Sequence, residues 1–227
     1  MMNKINLEGK NVFLNGEVSY LCIDKPIDLD IIVNENTDNK LIVIGINDYN
    51  INITLMNNSK IVVNSINKDN NVNVNIKLEN GSNIIYNHSV LGINDSINKF
   101  NIIHSNNTNS VLNNNGINLK NNKLFFEING VIDKKLININ CNQNSKIINY
   151  AKGNAKIMPN LIIDSNDIIA NHSAYIGEIN EDELFYLLSR GISKEKIREL
   201  IYRATMIGKM ELTIEEEEFN QIINEWW

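Results

Sequence analysis

Cysteine, histidine and long apolar runs are scarce in this chain of 227 residues, and each scarcity removes a class of protein. Cys22 and Cys141 are the two cysteines, too few for a disulfide framework. Residues Met1 to Glu8 lack an apolar core of signal-peptide length, so both thiols are expected to be reduced in a cytoplasm. No stretch approaches the roughly 18 apolar residues that a transmembrane helix needs, so no membrane insertion is expected. The formal net charge of −6 argues against a general nucleic-acid binder, which carries a basic footprint. A phosphate-binding Gly-x-x-x-x-Gly-Lys-Ser/Thr loop is missing, and His88, His104 and His172 have neither helix nor finger spacing for a metal. No spacing picks out a nucleophile, a base and an orienting group. Acid pairs such as Asp28/Asp30 and Asp182/Glu183 read as turn and cap residues. An enzyme is not expected.

What the sequence has instead is asparagine and isoleucine, 46 and 40 residues, together more than a third of the chain. Isoleucine favours strands, and asparagine favours turns and left-handed backbone positions. Strand-like runs cover Leu29–Val33, Leu41–Ile46, Ile51–Met56, Lys60–Ile66, Val72–Leu78, Leu124–Ile128 and Leu136–Asn140. Val72-Asn73-Val74-Asn75-Ile76-Lys77-Leu78 alternates strictly, with all apolar side chains on one face. The runs recur about every ten residues with Asn, Asp, Gly and Ser between them. Such spacing suits a sandwich or a solenoid. The likeness of the units and their one-sided stripes favour a solenoid. Asn-Gly pairs at Asn15, Asn80, Asn115 and Asn129 leave room for some antiparallel hairpins.

Beyond Ala170 the pattern changes, and after residue 180 only Asn220 and Asn224 remain. Asn180 with Glu183 reads as a capping box for a first helix that Gly191 ends. Ser193 reads as the cap of a second helix, Lys194 to about Ile207, which Gly208 stops. Thr213 with Glu216 opens a third, whose face is Phe219, Ile222, Ile223 and Trp226. The expected organisation is a mainly β body over residues 1–170 and a helical region of three short helices over 171–227.

The stretch from Pro159 to Ile192 is specific. Pro159, Leu161, Asp167, His172, Ala174, Gly177, Leu184-Phe185-Tyr186-Leu187 and Ser189-Arg190-Gly191-Ile192 fall in order on one pattern. It resembles the core of the SufB/SufD family, scaffold proteins of the SUF iron–sulfur cluster assembly system. Upstream, His104, Thr108 and Ser110, then Leu124 to Ile132 and Gln143, are similar to further segments of that family. The resemblance covers about residues 100–210. It implies a right-handed parallel β-helix with a C-terminal helical region, in a short SufD-like member without the N-terminal helical domain of longer ones. It also implies a transient iron–sulfur cluster, a SufC-like ABC-type ATPase docked on the C-terminal helices, and a second scaffold subunit or a second copy paired through the β-helix. Where a SufB-type cluster site has a cysteine this chain has Gly153, and where it has a Glu after the motif histidine this chain has Ser173. That leaves His172 as the residue to which a SufD-like cluster contact carries over. Leu184, Phe185, Tyr186, Arg190 and Gly191 are the expected ATPase contact. The rival expectation is a stand-alone β-solenoid that recognises carbohydrate or another polar ligand. The Leu184–Ile192 helix argues against it, having no evident use there.

Overall fold

The computed structural model describes residues 3–5, 10–150, 153–179, 181–208 and 210. Its strands begin with β1 (Asn3–Lys4), β2 (Asn11–Leu14), β3 (Val18–Ile23), β4 (Ile27–Val33), β5 (Asp38–Gly45), β6 (Tyr49–Leu55), β7 (Lys60–Lys68) and β8 (Val72–Leu78). They continue with β9 (Asn83–Gly92), β10 (Ser96–Ile103), β11 (Asn109–Asn118), β12 (Lys123–Ile132), β13 (Ile137–Asn149), β14 (Asn154–Ile163) and β15 (Asp167–Glu178). Two helices follow, α1 (Glu181–Ser189) and α2 (Lys194–Ile207).

Odd-numbered strands form one sheet of eight and even-numbered strands a second sheet of seven, both in chain order. The chain therefore crosses from one sheet to the other with every strand, and the result is a parallel β-solenoid. Alternation decides what goes inside. In Val72–Leu78 the residues Val72, Val74, Ile76 and Leu78 are buried, as the strict pattern requires. Their equivalents from both sheets make one continuous core from Leu14 to Ile147.

Antiparallel hairpins do not form among the described residues. Asn80-Gly81 turns a corner between parallel coils, while Asn115-Gly116 and Asn129-Gly130 lie within β11 and β12. A Cβ on Gly116 would come within 2.8 Å of the Leu124 side chain, so that glycine serves close packing rather than a turn.

One corner repeats the same chemistry in coil after coil. Asn36, Asn58, Gly81 and Asn107 have φ of 58°, 55°, 75° and 57°. The next residue in each case is Thr37, Ser59, Ser82 or Thr108, whose hydroxyl donates to the carbonyl three residues back at 2.6–2.8 Å. Asparagine and glycine are the residues that tolerate this left-handed backbone. Asparagine also runs in ladders along the sheets. On the even sheet, Asn52 Nδ2 donates to Asp30, Asn75 to Asn52, Asn101 to Asn75, Asn129 to Asn101 and Asn160 to Asn129, at 2.7–2.9 Å. Successive members are 22, 23, 26, 28 and 31 residues apart, so the coils lengthen toward the C-terminus.

Ser193 caps α2 by accepting from the Lys196 N–H at 3.2 Å, as the sequence predicts. The helix lies on the outer face of the odd sheet, where Tyr202, Met206 and Met210 pack with Ile42, Ile44, Ile66, Leu91 and Ile117. Ser89 Oγ donates to the Met206 carbonyl at 2.6 Å. Toward the start of α2, Arg198 lies 4.5 Å from the Tyr150 ring centre and Tyr202 meets the same ring edge-on, so the helix runs along the flank from the end of β13 past β11 to β9. The Asn180 cap and the third helix expected from Thr213 lie outside the described residues.

Candidate functional site

The last strand of each sheet, β14 and β15, has one neighbour and one bare edge. Register carries the inside of the solenoid up to this end. Ala170, His172, Ala174 and Ile176 pair with Cys141, Gln143, Ser145 and Ile147, all of which are buried. Across from them Ile157, Pro159, Leu161 and Ile163 pair with Phe126, Ile128, Gly130 and Ile132. One coil further on, the same columns are open: Ile163 and Ile176 are exposed, as are Ile162, Ile169 and Tyr175 on the outer faces. Among the described residues, α2 lies along the flank and not over this cross-section. The solenoid thus ends in a bare apolar face with His172 in it.

His172 is exposed, and Ala170 and Ala174 beside it on the same face are small. Beneath it, Gln143 is 1% exposed. Gln143 Nε2 donates to the Asn160 carbonyl at 3.3 Å, and its Oε1 is buried without a hydrogen-bond partner. A Cβ on Gly130 would lie 2.9 Å from that Nε2 and 3.2 Å from Cys141 Sγ, so Gly130 makes the room that both side chains occupy.

The remaining candidates lie deeper. His104 Nδ1 lies 2.8 Å from Thr108 Oγ1 and its Nε2 3.1 Å from Ser110 Oγ. Burial lowers its pKa to about 4, so it is neutral near pH 7. Ser110 pairs in register with Cys141, whose thiol burial pushes up, against thiolate chemistry. His88 was not singled out by spacing, yet the alternation Ile84, Tyr86, His88, Val90 marks it as inward. Its Nε2 lies 2.9 Å from Asn98 Oδ1 and its Nδ1 3.2 Å from Asn67 Nδ2, which fixes the Nε2–H tautomer. Burial lowers its pKa to about 4 as well. Cys22 is half-buried on the outer face of β3, in register with Ile44. Among the described residues no group of three or more His, Cys, Asp and Glu side chains gathers. His172 therefore offers one ligand, and a metal or cluster there would need further ligands from elsewhere.

The second predicted surface is α1. Phe185 is 74% exposed and Tyr186 55% exposed, Leu188 is also exposed, and Arg190 lies 5.2 Å from the Tyr186 ring centre. Gly191, with φ of 81° and open space around it, ends the helix in a left-handed turn. Only Ile179 and Asn180 separate α1 from β15, so the structure places this helix and the His172 strand in one continuous segment. No described helix is long and apolar enough to cross a membrane.

Comparison with known protein families covers this stretch. A protein family described as SUF system FeS cluster assembly, SufBD core domain, matches residues 46–205. The iron–sulfur cluster assembly protein SufD of Bacillus subtilis is 36% identical over 75 residues, 32% of this chain and 17% of that protein. An iron–sulfur cluster assembly SufBD family protein of Pyrococcus horikoshii is 42% identical over 52 residues, 23% of this chain and 12% of that one. One of Mycobacterium leprae is 36% identical over 63 residues, 27% and 16% of the two chains. The matched stretches are thus less than a fifth of each relative's length. With most of its solenoid, α1 and nearly all of α2 inside the matched region, this chain belongs to the SufBD family.

Proposed function

We propose that the chain is a scaffold subunit in SUF-type iron–sulfur cluster assembly. It pairs through the open end of its solenoid with a second scaffold subunit, or a second copy, and carries an ABC-type ATPase on α1. A cluster is held there transiently as cargo, with His172 as the ligand this chain supplies. The observation that carries the reading is the open end itself. A cross-section of buried core becomes bare apolar surface and two unpaired strand edges within one coil, and natural proteins rarely leave such an edge uncovered. Pairing would cover it and bring the partner's ligands to His172. The exposed Phe185, Tyr186 and Leu188 support docking of the ATPase, since they leave apolar and aromatic surface of α1 open to a partner. Chemistry then resides in the ATPase and the sulfur donor, not in this chain.

The rival reading, a polar-ligand binder, has a groove of about 600 Å³ beside Asp28, Asp48, Asn50, Asn73 and Lys99. Its polar groups are largely taken: Asn50 donates to Asp28, Asn71 to Asp48, and Lys99 pairs with Glu127. That favours the scaffold.

Co-purification with an ABC-type ATPase of the SUF system tests the proposal. Wild type is expected to retain the ATPase, and the F185A/Y186A double variant to lose about 2 kcal/mol or more of affinity with unchanged stability. Absence of a complex with and without ATP, together with failure of anaerobic cluster reconstitution, sinks it.

A further inference from the structure

We propose that Gln143 is a positioning residue for His172: its carboxamide oxygen accepts one imidazole N–H and leaves the other ring nitrogen unprotonated at the open end. The inference rests on His172 being the residue this chain offers to a cluster, and it adds how the ring is prepared for that.

Four observations converge on it. Gln143 and His172 are register partners on β13 and β15, so both side chains stand in the same inward column. Gln143 is held from the other side, by Nε2 donating to the Asn160 carbonyl at 3.3 Å and by the space that Gly130 leaves. Its Oε1 is the atom left over, buried and without a donor. A buried acceptor in that state calls for an N–H or O–H, and the next group in its column is an imidazole. Ala170 and Ala174 flank His172 on the same face, and neither has the bulk to keep the ring from lying down over the amide. A histidine ligand is commonly fixed in this way, its far nitrogen donating to an oxygen while the near one keeps its lone pair. His88 shows the same device in the interior of this chain, with Asn98 Oδ1 taking its Nε2–H.

The test reads the tautomer directly. In the full chain labelled with ¹⁵N-histidine, the His172 ring nitrogens are assigned by comparison with the H172A variant, with His88 as an internal single-tautomer reference. Wild type is expected to show His172 as one neutral tautomer. Gln143→Met keeps the length and removes the acceptor, and is expected to return His172 to the mixed-tautomer average of free imidazole. Gln143→Glu keeps an acceptor and restores the single form. The wild-type spectrum needs no variant to fold, and a free-imidazole average there overturns the proposal. So does a His172 tautomer that Gln143→Met leaves unchanged. Cluster reconstitution with the partner scaffold separates the two claims. If Gln143→Met releases the tautomer while cluster yield stays the same, positioning is upheld and the ligand role of His172 is what fails.

Discussion

His88 and His104 are each neutral inside a folded solenoid, and both are ordinary imidazoles once it unfolds. Burial lowers each from about 6.5 to about 4. A folded pKa below the unfolded one means that the unfolded chain binds protons first. Their contribution is therefore complete above pH 6.5 and is lost as pH falls toward 4, by about 3 kcal/mol for each residue. Denaturant titrations at pH 7 and pH 4.5 check this. His88→Gln is expected to be less stable than wild type at pH 7, yet to lose less on acidification. An equal loss in both proteins would mean that His88 is not the group that titrates. Residue identity was legible here only through position. Three histidines without ligand spacing say nothing as a set, whereas the alternation of β9 places His88 inside and the family-like segment at Pro159–Ile192 places His172 at its end. The orphaned Oε1 of Gln143 was beyond the sequence, because it depends on which strand becomes the last one paired.

At the scale of elements, the even-sheet ladder has a direction. Side-chain amide orientation is normally inferred from hydrogen bonding, and here Asp30 decides it, since a carboxylate can only accept. Asn52 must then present Nδ2 downward and Oδ1 upward, and Asn75, Asn101, Asn129 and Asn160 follow. An aspartate is thus welcome at the bottom and nowhere else. Asp30→Asn is expected to change stability by less than about 0.5 kcal/mol. Asn75→Asp sets two acceptors against each other and is expected to cost about 1–3 kcal/mol, read from the urea midpoint. Equal effects of the two substitutions would disprove the polarity. The strand runs and the bounds of α2 were readable from alternation and from Ser193 and Gly208. The corner motif was harder to see, because a left-handed residue followed by Ser or Thr returns at intervals that stretch from coil to coil. No fixed period exists for a repeat search to find.

For the molecule as a whole, the open end should govern association. Ile176 belongs to the inner column of β15 and is exposed, so a charge there meets water in the isolated chain. Ile176→Lys is expected to leave the thermal transition within a few degrees of wild type and to abolish pairing in sedimentation velocity. If the variant associates as wild type does, the pairing surface lies elsewhere. Helix α2 has the opposite part. Packed on the outer face of the odd sheet over β9 and β11, it ties neighbouring coils together, while Phe185 and Tyr186 of α1 stay exposed.

The lengthening of the coils has a consequence for polymerisation. A solenoid of uniform cross-section is a ready-made fibre: its last strand edges fit its first, and each added copy recreates the same end. Here a rung of 31 residues would have to sit on one of 22, and the two sets of strands and corners do not superpose. Head-to-tail growth is frustrated by geometry, in addition to Pro159, which lies in the edge strand β14. In the pairing proposed above, the broad end meets another broad end, a contact that closes on itself after two subunits. The taper lets the chain keep two sticky edges without the hazard of amyloid-like growth.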